Sequence, residues 1–127
     1  MKQHGSFLKI SSVVIILILL MLASQYLTAD WSMEKYVQND INAALKNNDD
    51  SKLLRISSDN QVFKALKAQK NVIIHFRTDN QGSGDMAYFP ATIGPKSKIY
   101  GVSIKINSVL HHRYTLEQII DLSTVPN

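Results

Sequence analysis

The chain has 127 residues, 14 Lys and Arg against 10 Asp and Glu, and a formal net charge of +4. That length allows one small domain beside a membrane segment, and the absence of cysteine excludes a disulfide framework, a thiolate nucleophile and a cysteine metal site. Its positive residues, Lys46, Lys52, Arg55, Lys64, Lys67, Lys70, Lys96, Lys98 and Lys105 among them, are dispersed, so they read as solvated faces and no nucleic-acid partner is expected.

Val13 to Ala23 is an unbroken apolar run, and weakly polar flanks extend the charge-free stretch over residues 10–29. Roughly 20 mainly apolar residues are what a helix needs to cross about 30 Å of hydrocarbon, where only a helix or a closed barrel satisfies its own backbone. Lys2 and Lys9 precede the run and the first acid is Asp30. The positive-inside tendency therefore predicts a cytoplasmic stub over 1–9, a transmembrane helix over 10–29 and an exported, periplasmic domain over 30–127. A cleaved signal peptide competes with this reading. The small-residue sites ending at Ser24 and Ala29 carry Leu22 and Leu27 at the minus-three position, a poor match to A-x-A, and Tyr26 and Trp31 suit an interfacial aromatic belt, so an uncleaved signal anchor is preferred.

From Trp31 to Asn47, Met33, Tyr36, Val37, Ile41, Ala44 and Leu45 recur at three- and four-residue spacing, which predicts an amphipathic helix. No Gly or Pro separates it from the membrane helix. Asn47-Asn48-Asp49-Asp50 ends it, and Asp49 or Asp50 caps a short helix through Ile56 that buries Leu53, Leu54 and Ile56. Ser58 and Gln61 have the spacing of a capping box and predict a third helix burying Val62, Phe63 and Leu66.

The period then changes to two. Val72, Ile74 and Phe76 share one side of a strand over Asn71 to Arg77, with Ile73, His75 and Arg77 on the other. Thr78 to Asp85 is a polar, glycine-rich reversal. It imitates a calcium loop at Asp79, Ser83 and Gly84 but has Gln81 at the third position and Pro90 where a bidentate Glu is required, so it reads as a turn. Met86 to Phe89 is a short strand ended by Pro90, Gly94-Pro95 is a turn, and Lys98 to Ile106 alternates Tyr100, Val102, Ile104 and Ile106 on one face. Val109 to Tyr114 continues the sheet. Thr115 and Gln118 repeat the capping-box spacing and predict a terminal helix burying Leu116, Ile119, Ile120 and Leu122.

No Gly-x-Ser-x-Gly elbow or His-Glu-x-x-His zinc motif occurs, and neither a catalytic role, a cofactor, a metal nor a small-molecule ligand is expected. The one concentration of titratable and aromatic groups is His111-His112-Arg113-Tyr114, whose histidines would face opposite sides of a strand. These four, with His75, are the candidate pH-responsive or partner-contact residues.

One anchor, Phe76-Arg77, a glycine-containing turn at Gly82 to Gly84, Tyr100, Ile104 and a terminal His112-Arg113-Tyr114 resemble small inner-membrane accessory proteins of ToxR-like transcription regulators, the FidL-like and ToxS-like groups. The chain lacks the cysteines that several such accessories carry. The resemblance implies a non-enzymatic bacterial inner-membrane protein that stabilises or modulates a membrane-anchored regulator through helix contact in the bilayer and sheet or groove contact outside it. Edge strands are the natural docking sites for such a partner. A structural subunit of an envelope-spanning secretion or conjugation assembly would share the topology. The predicted fold is α+β: one transmembrane helix, then a small domain of helices and a three- to four-stranded, mainly antiparallel sheet closed by the terminal helix.

Overall fold

The computed structural model describes residues 2–124; Met1 and residues 125–127, the outer ends of the predicted stub and domain, lie outside the described residues. Four helices, α1 (Lys2–Leu27), α2 (Ala29–Lys46), α3 (Asp50–Ile56) and α4 (Asn60–Lys67), precede four strands, β1 (Ile74–Phe76), β2 (Met86–Ile93), β3 (Ile99–Ser108) and β4 (Arg113–Asp121), and a 3-10 turn over Leu122–Thr124. The strands form an antiparallel meander in the order β1-β2-β3-β4, so the fold is α+β as predicted.

Within α1, Lys9–Leu27 is long and apolar enough to cross a membrane, and none of it is buried against the rest of the chain. Only Thr28 separates α1 from α2. Hydrogen bonding runs through the junction: the Thr28 amide donates to the Ser24 carbonyl at 3.0 Å, and the Ser32 amide to the Thr28 carbonyl at 2.9 Å. The Thr28 hydroxyl also donates to the Ser24 carbonyl at 2.8 Å, a back-bond that bends helices rather than breaking them.

α2 buries Met33, Val37, Ile41 and Ala44, the stripe its spacing predicts, against the sheet. Asn48 stops it in the left-handed conformation (φ 51°), with the Asn48 amide donating to Leu45 O and the Asp49 amide to Ala44 O. This is a Schellman end with Asn in glycine's usual place. Asp49 caps α3 by accepting from the Lys52 amide, as expected, but Leu54 is exposed rather than buried because a seven-residue helix turns only Leu53 and Ile56 inward. The cap of α4 is Asp59, accepting from the Val62 amide at 3.0 Å, and not Ser58. Ser58 is instead held outside the helix, where its amide donates to the Ile119 carbonyl.

The helices cover one face of the sheet, on which Ile74, Ala87, Phe89, Ala91, Ile93, Tyr100, Val102, Ile104, Tyr114, Leu116 and Ile119 are buried. Phe76 and Phe89 stack there, centroids 4.0 Å apart. Each large apolar side chain taken out of water in this layer contributes about 1.5 to 3 kcal/mol before chain entropy is counted.

Two sequence expectations are corrected here. β2 does not end at Pro90 but runs on to Ile93. The Pro90 carbonyl accepts from the Arg77 amide at 2.8 Å, so this residue's backbone faces β1, and β1 ends at Phe76; the missing N–H therefore costs the ladder nothing. Thr115 to Asp121 does not form a helix but most of β4, and Leu122 opens the 3-10 turn. Its register against β3 slips between Ser103/Ile104, where Ser103 faces Gln118 and Ile104 faces Leu116, leaving Glu117 as an extra, bulged residue. A bulge converts an inward set spaced by two into Tyr114, Leu116, Ile119 and Asp121, a two-three-two spacing that imitates a helical stripe.

Candidate interaction surface

Both edges of the sheet carry partners from the helical layer. On α2, Glu34, Gln38 and Asn42 stand four residues apart and face the outer edge of β1 and the segment before it. Glu34 Oε2 accepts from the Phe76 amide at 2.8 Å, and Gln38 Oε1 from the Ile74 amide at 3.0 Å. Asn42 makes a two-bond clasp, accepting from the Val72 amide at 2.7 Å and donating to its carbonyl at 3.0 Å. The match is metric: four helical residues rise about 6 Å, and two strand residues about 6.6 Å. The polar stripe thus satisfies alternate amides that another chain would otherwise pair with. At the opposite edge, Ser57 bridges Ile119 in parallel and the Ser58 amide donates to the Ile119 carbonyl at 3.0 Å.

Among the described residues, no element lies over the sheet face turned away from the helices. Across it run rows set by the register: His75, Thr92 and Ile99; Pro90, Gly101 and Ile120; Tyr88, Ser103 and Gln118. Tyr88, Pro90, Thr92, Ile99, Ser103 and Ile120 are half-buried, and His75 and Gln118 exposed. Tyr88 lies down over Gly101, where an added Cβ would come within 2.3 Å of the Tyr88 hydroxyl. Glycine here gives the face an aromatic floor, with Thr92, Ser103 and Gln118 as its polar neighbours.

The candidate residues of the sequence fall in two places. His75 is exposed on β1, where it lines a shallow groove with Gln69, Lys70, Ile73, Gly94 and Pro95. The other four lie at or beside the β3–β4 turn, which covers residues 109–112 and closes with the His112 amide donating to Val109 O. His111 Nδ1 lies 3.1 Å from Ser108 Oγ. His112 takes a left-handed backbone (φ 48°), stacks on Tyr114 with centroids 6.2 Å apart, and sets Nε2 3.4 Å from the Gln25 carbonyl in the last turns of α1. Tyr114 is buried and meets Tyr36 of α2 edge-on at 5.7 Å. Burial, and secondarily the Asp40 charge, raise the Tyr36 hydroxyl above its ordinary pKa. Arg113 is exposed. The structure therefore joins His112 to the end of α1 through Gln25 and Tyr114 to α2 through Tyr36, and leaves His75 apart.

Sequence reading did not single out Asp121, the buried charged side chain among the described residues. Lys98 Nζ reaches Oδ2 at 2.5 Å, while the Ser123 amide and hydroxyl donate to Oδ1 at 2.9 and 2.6 Å. Burial pushes the carboxyl up, but these bonds together hold it below the usual carboxylate range. The signal that would have marked it is its place two residues after Ile119 on the inward side. Among the described residues no three His, Asp or Glu side chains come together as a metal site. The chain matches no protein-family model, no curated protein and no solved structure.

Proposed function

We propose that this chain is a non-enzymatic, single-pass accessory protein of a bacterial inner membrane, with its N-terminus cytoplasmic and its domain periplasmic, that binds and stabilises or modulates a membrane-anchored transcription regulator. The observation that carries the reading is the uncovered sheet face of Tyr88, Pro90, Ile99, Gly101 and Ile120 on a domain joined to an apolar helix by a single residue. α2 takes the Ile74 and Phe76 amides at the β1 edge and Ser58 the Ile119 carbonyl at the β4 edge, which supports docking by the face over strand addition. A short anchor limits the domain to partners close to the same bilayer, and the resemblance to accessory proteins of ToxR-like regulators supplies the partner class.

The test is affinity capture of the tagged full chain from solubilised membranes, beside an Ile120→Asp variant. The expected result is recovery of one membrane-anchored DNA-binding protein, lost in the variant. Recovery of several subunits of a secretion or conjugation assembly would replace this reading with the structural-subunit one.

A further inference from the structure

The β3–β4 turn lies at the end of the apolar helix. His112 Nε2 is 3.4 Å from the carbonyl of Gln25, which stands two residues, about 3 Å of helix rise, before the end of α1 at Leu27. Leu110 is two residues from His112, so it lies within about 7 Å of chain of that contact. Tyr26, Leu27, Trp31 and Leu110 are all strongly exposed, at 65, 84, 64 and 48%. They are the large apolar side chains that the domain's core leaves out at this end, and they span the last turn of α1, the first turn of α2 and the tip of the hairpin.

The charge on the hairpin itself has one sign, while Asp30 stands beside Trp31 in the first turn of α2. From Lys105 through Leu116 the only fixed charges are Lys105 and Arg113, both exposed. The nearest acid of the neighbouring loop is set back: the Asp85 carbonyl accepts from the Ile106 amide, and the hairpin continues beyond that point through Asn107 to Leu110. An apolar apex with a cation beside it, held level with the end of a membrane helix, has the chemistry of a bilayer interface, where apolar and aromatic groups enter the acyl boundary and cations meet phosphate.

We infer that the β3–β4 turn is a lipid-contacting foot, with Leu110 seated in the interface and Arg113 on an anionic phospholipid headgroup. The inference rests on α1 being a membrane span. The foot and α1 together give the domain two points of attachment, which restricts its orientation on the membrane.

The absence of native cysteine makes the test direct. The full chain is reconstituted in phosphatidylcholine–phosphatidylglycerol vesicles as three single-cysteine variants, Ile18→Cys, Leu110→Cys and Ser97→Cys, each carrying an environment-sensitive fluorophore. Ser97 is exposed in the turn at the opposite end of the sheet. Nitroxide lipids labelled near the headgroup are expected to quench position 110 several-fold more than position 97, and deep nitroxides to quench position 18. Arg113→Gln in the Leu110→Cys chain is expected to weaken quenching in these vesicles but not in pure phosphatidylcholine, whose headgroup has no net charge; an equal effect in both would overturn the anionic-headgroup contact. Quenching at 18 with position 110 no more quenched than 97 would overturn the foot and leave the span standing. No quenching at 18 would overturn the span itself.

Discussion

At Asp121 the fold spends a charge inside its core layer, and the hydrogen bonds around it determine how that charge answers to pH. Its carboxyl is held below the ordinary range by Lys98 and Ser123 acting against burial. A folded-state pKa lower than the unfolded value of about 3.9 means that the stabilisation is complete above that value and is lost as pH falls through the folded one. The thermal midpoint of the full chain in detergent should therefore drop on acidification below about pH 4. Asp121→Asn should lower the midpoint at neutral pH and flatten that acid limb. An acid limb unchanged by the substitution would assign it to other carboxylates. Lys98 answers in the opposite sense: its ammonium is raised by the hydrogen bond to Asp121, so its contribution is present at neutral pH and lost only at strongly alkaline pH.

Among the elements, α2 has two faces with two tasks, and only one was legible beforehand. The apolar face, Met33, Val37, Ile41 and Ala44, follows from spacing alone. The polar stripe of Glu34, Gln38 and Asn42 reads in sequence as solvated surface, because pattern cannot tell a side chain facing water from one facing a strand edge. Its energetic weight is measurable. Asn42→Ala leaves the peptide of buried Val72 without its two side-chain partners and should cost about 2 kcal/mol, whereas Asn39→Ala on the exposed face should change stability by less than about 0.5 kcal/mol. Denaturant titration of the two variants checks this difference.

β4 teaches the converse lesson. Leu116 and Ile119 were correctly expected to be buried, but the Glu117 bulge disguised a strand as a capped helix. Removing the bulged residue should restore strict alternation of Tyr114, Leu116, Ile119 and Asp121. Deletion of Glu117 is accordingly expected to retain a cooperative thermal transition. Deletion of Ser103 from β3 sends part of that strand's inward set to the wrong face and should abolish the transition. Loss of folding in both deletions would contradict the bulge's role.

For the molecule as a whole, the apolar helix, the α+β class and most of the core could be read from periodicity, whereas the proposed interaction surface could not. It depends on which face of the sheet the helices cover and on which edges they close. Those are long-range facts carried by pairs such as Gln38 with Ile74 and Ser58 with Ile119. His111, His112, Arg113 and Tyr114 stood out in sequence by proximity, and the structure divides them between the helix junction and the exposed tip. The open face also explains Gly101: any side chain there would displace Tyr88 and reshape the floor.

The most direct measurement is site-specific photocrosslinking of the full chain in intact membranes, with the photoreactive residue placed at Tyr88 or Ile120 on the open face, or at exposed Lys64 on the helical side. Adducts to one membrane-anchored DNA-binding protein from Tyr88 and Ile120, with none from Lys64, are the predicted result. Adducts from Lys64 alone would contradict docking through the sheet face.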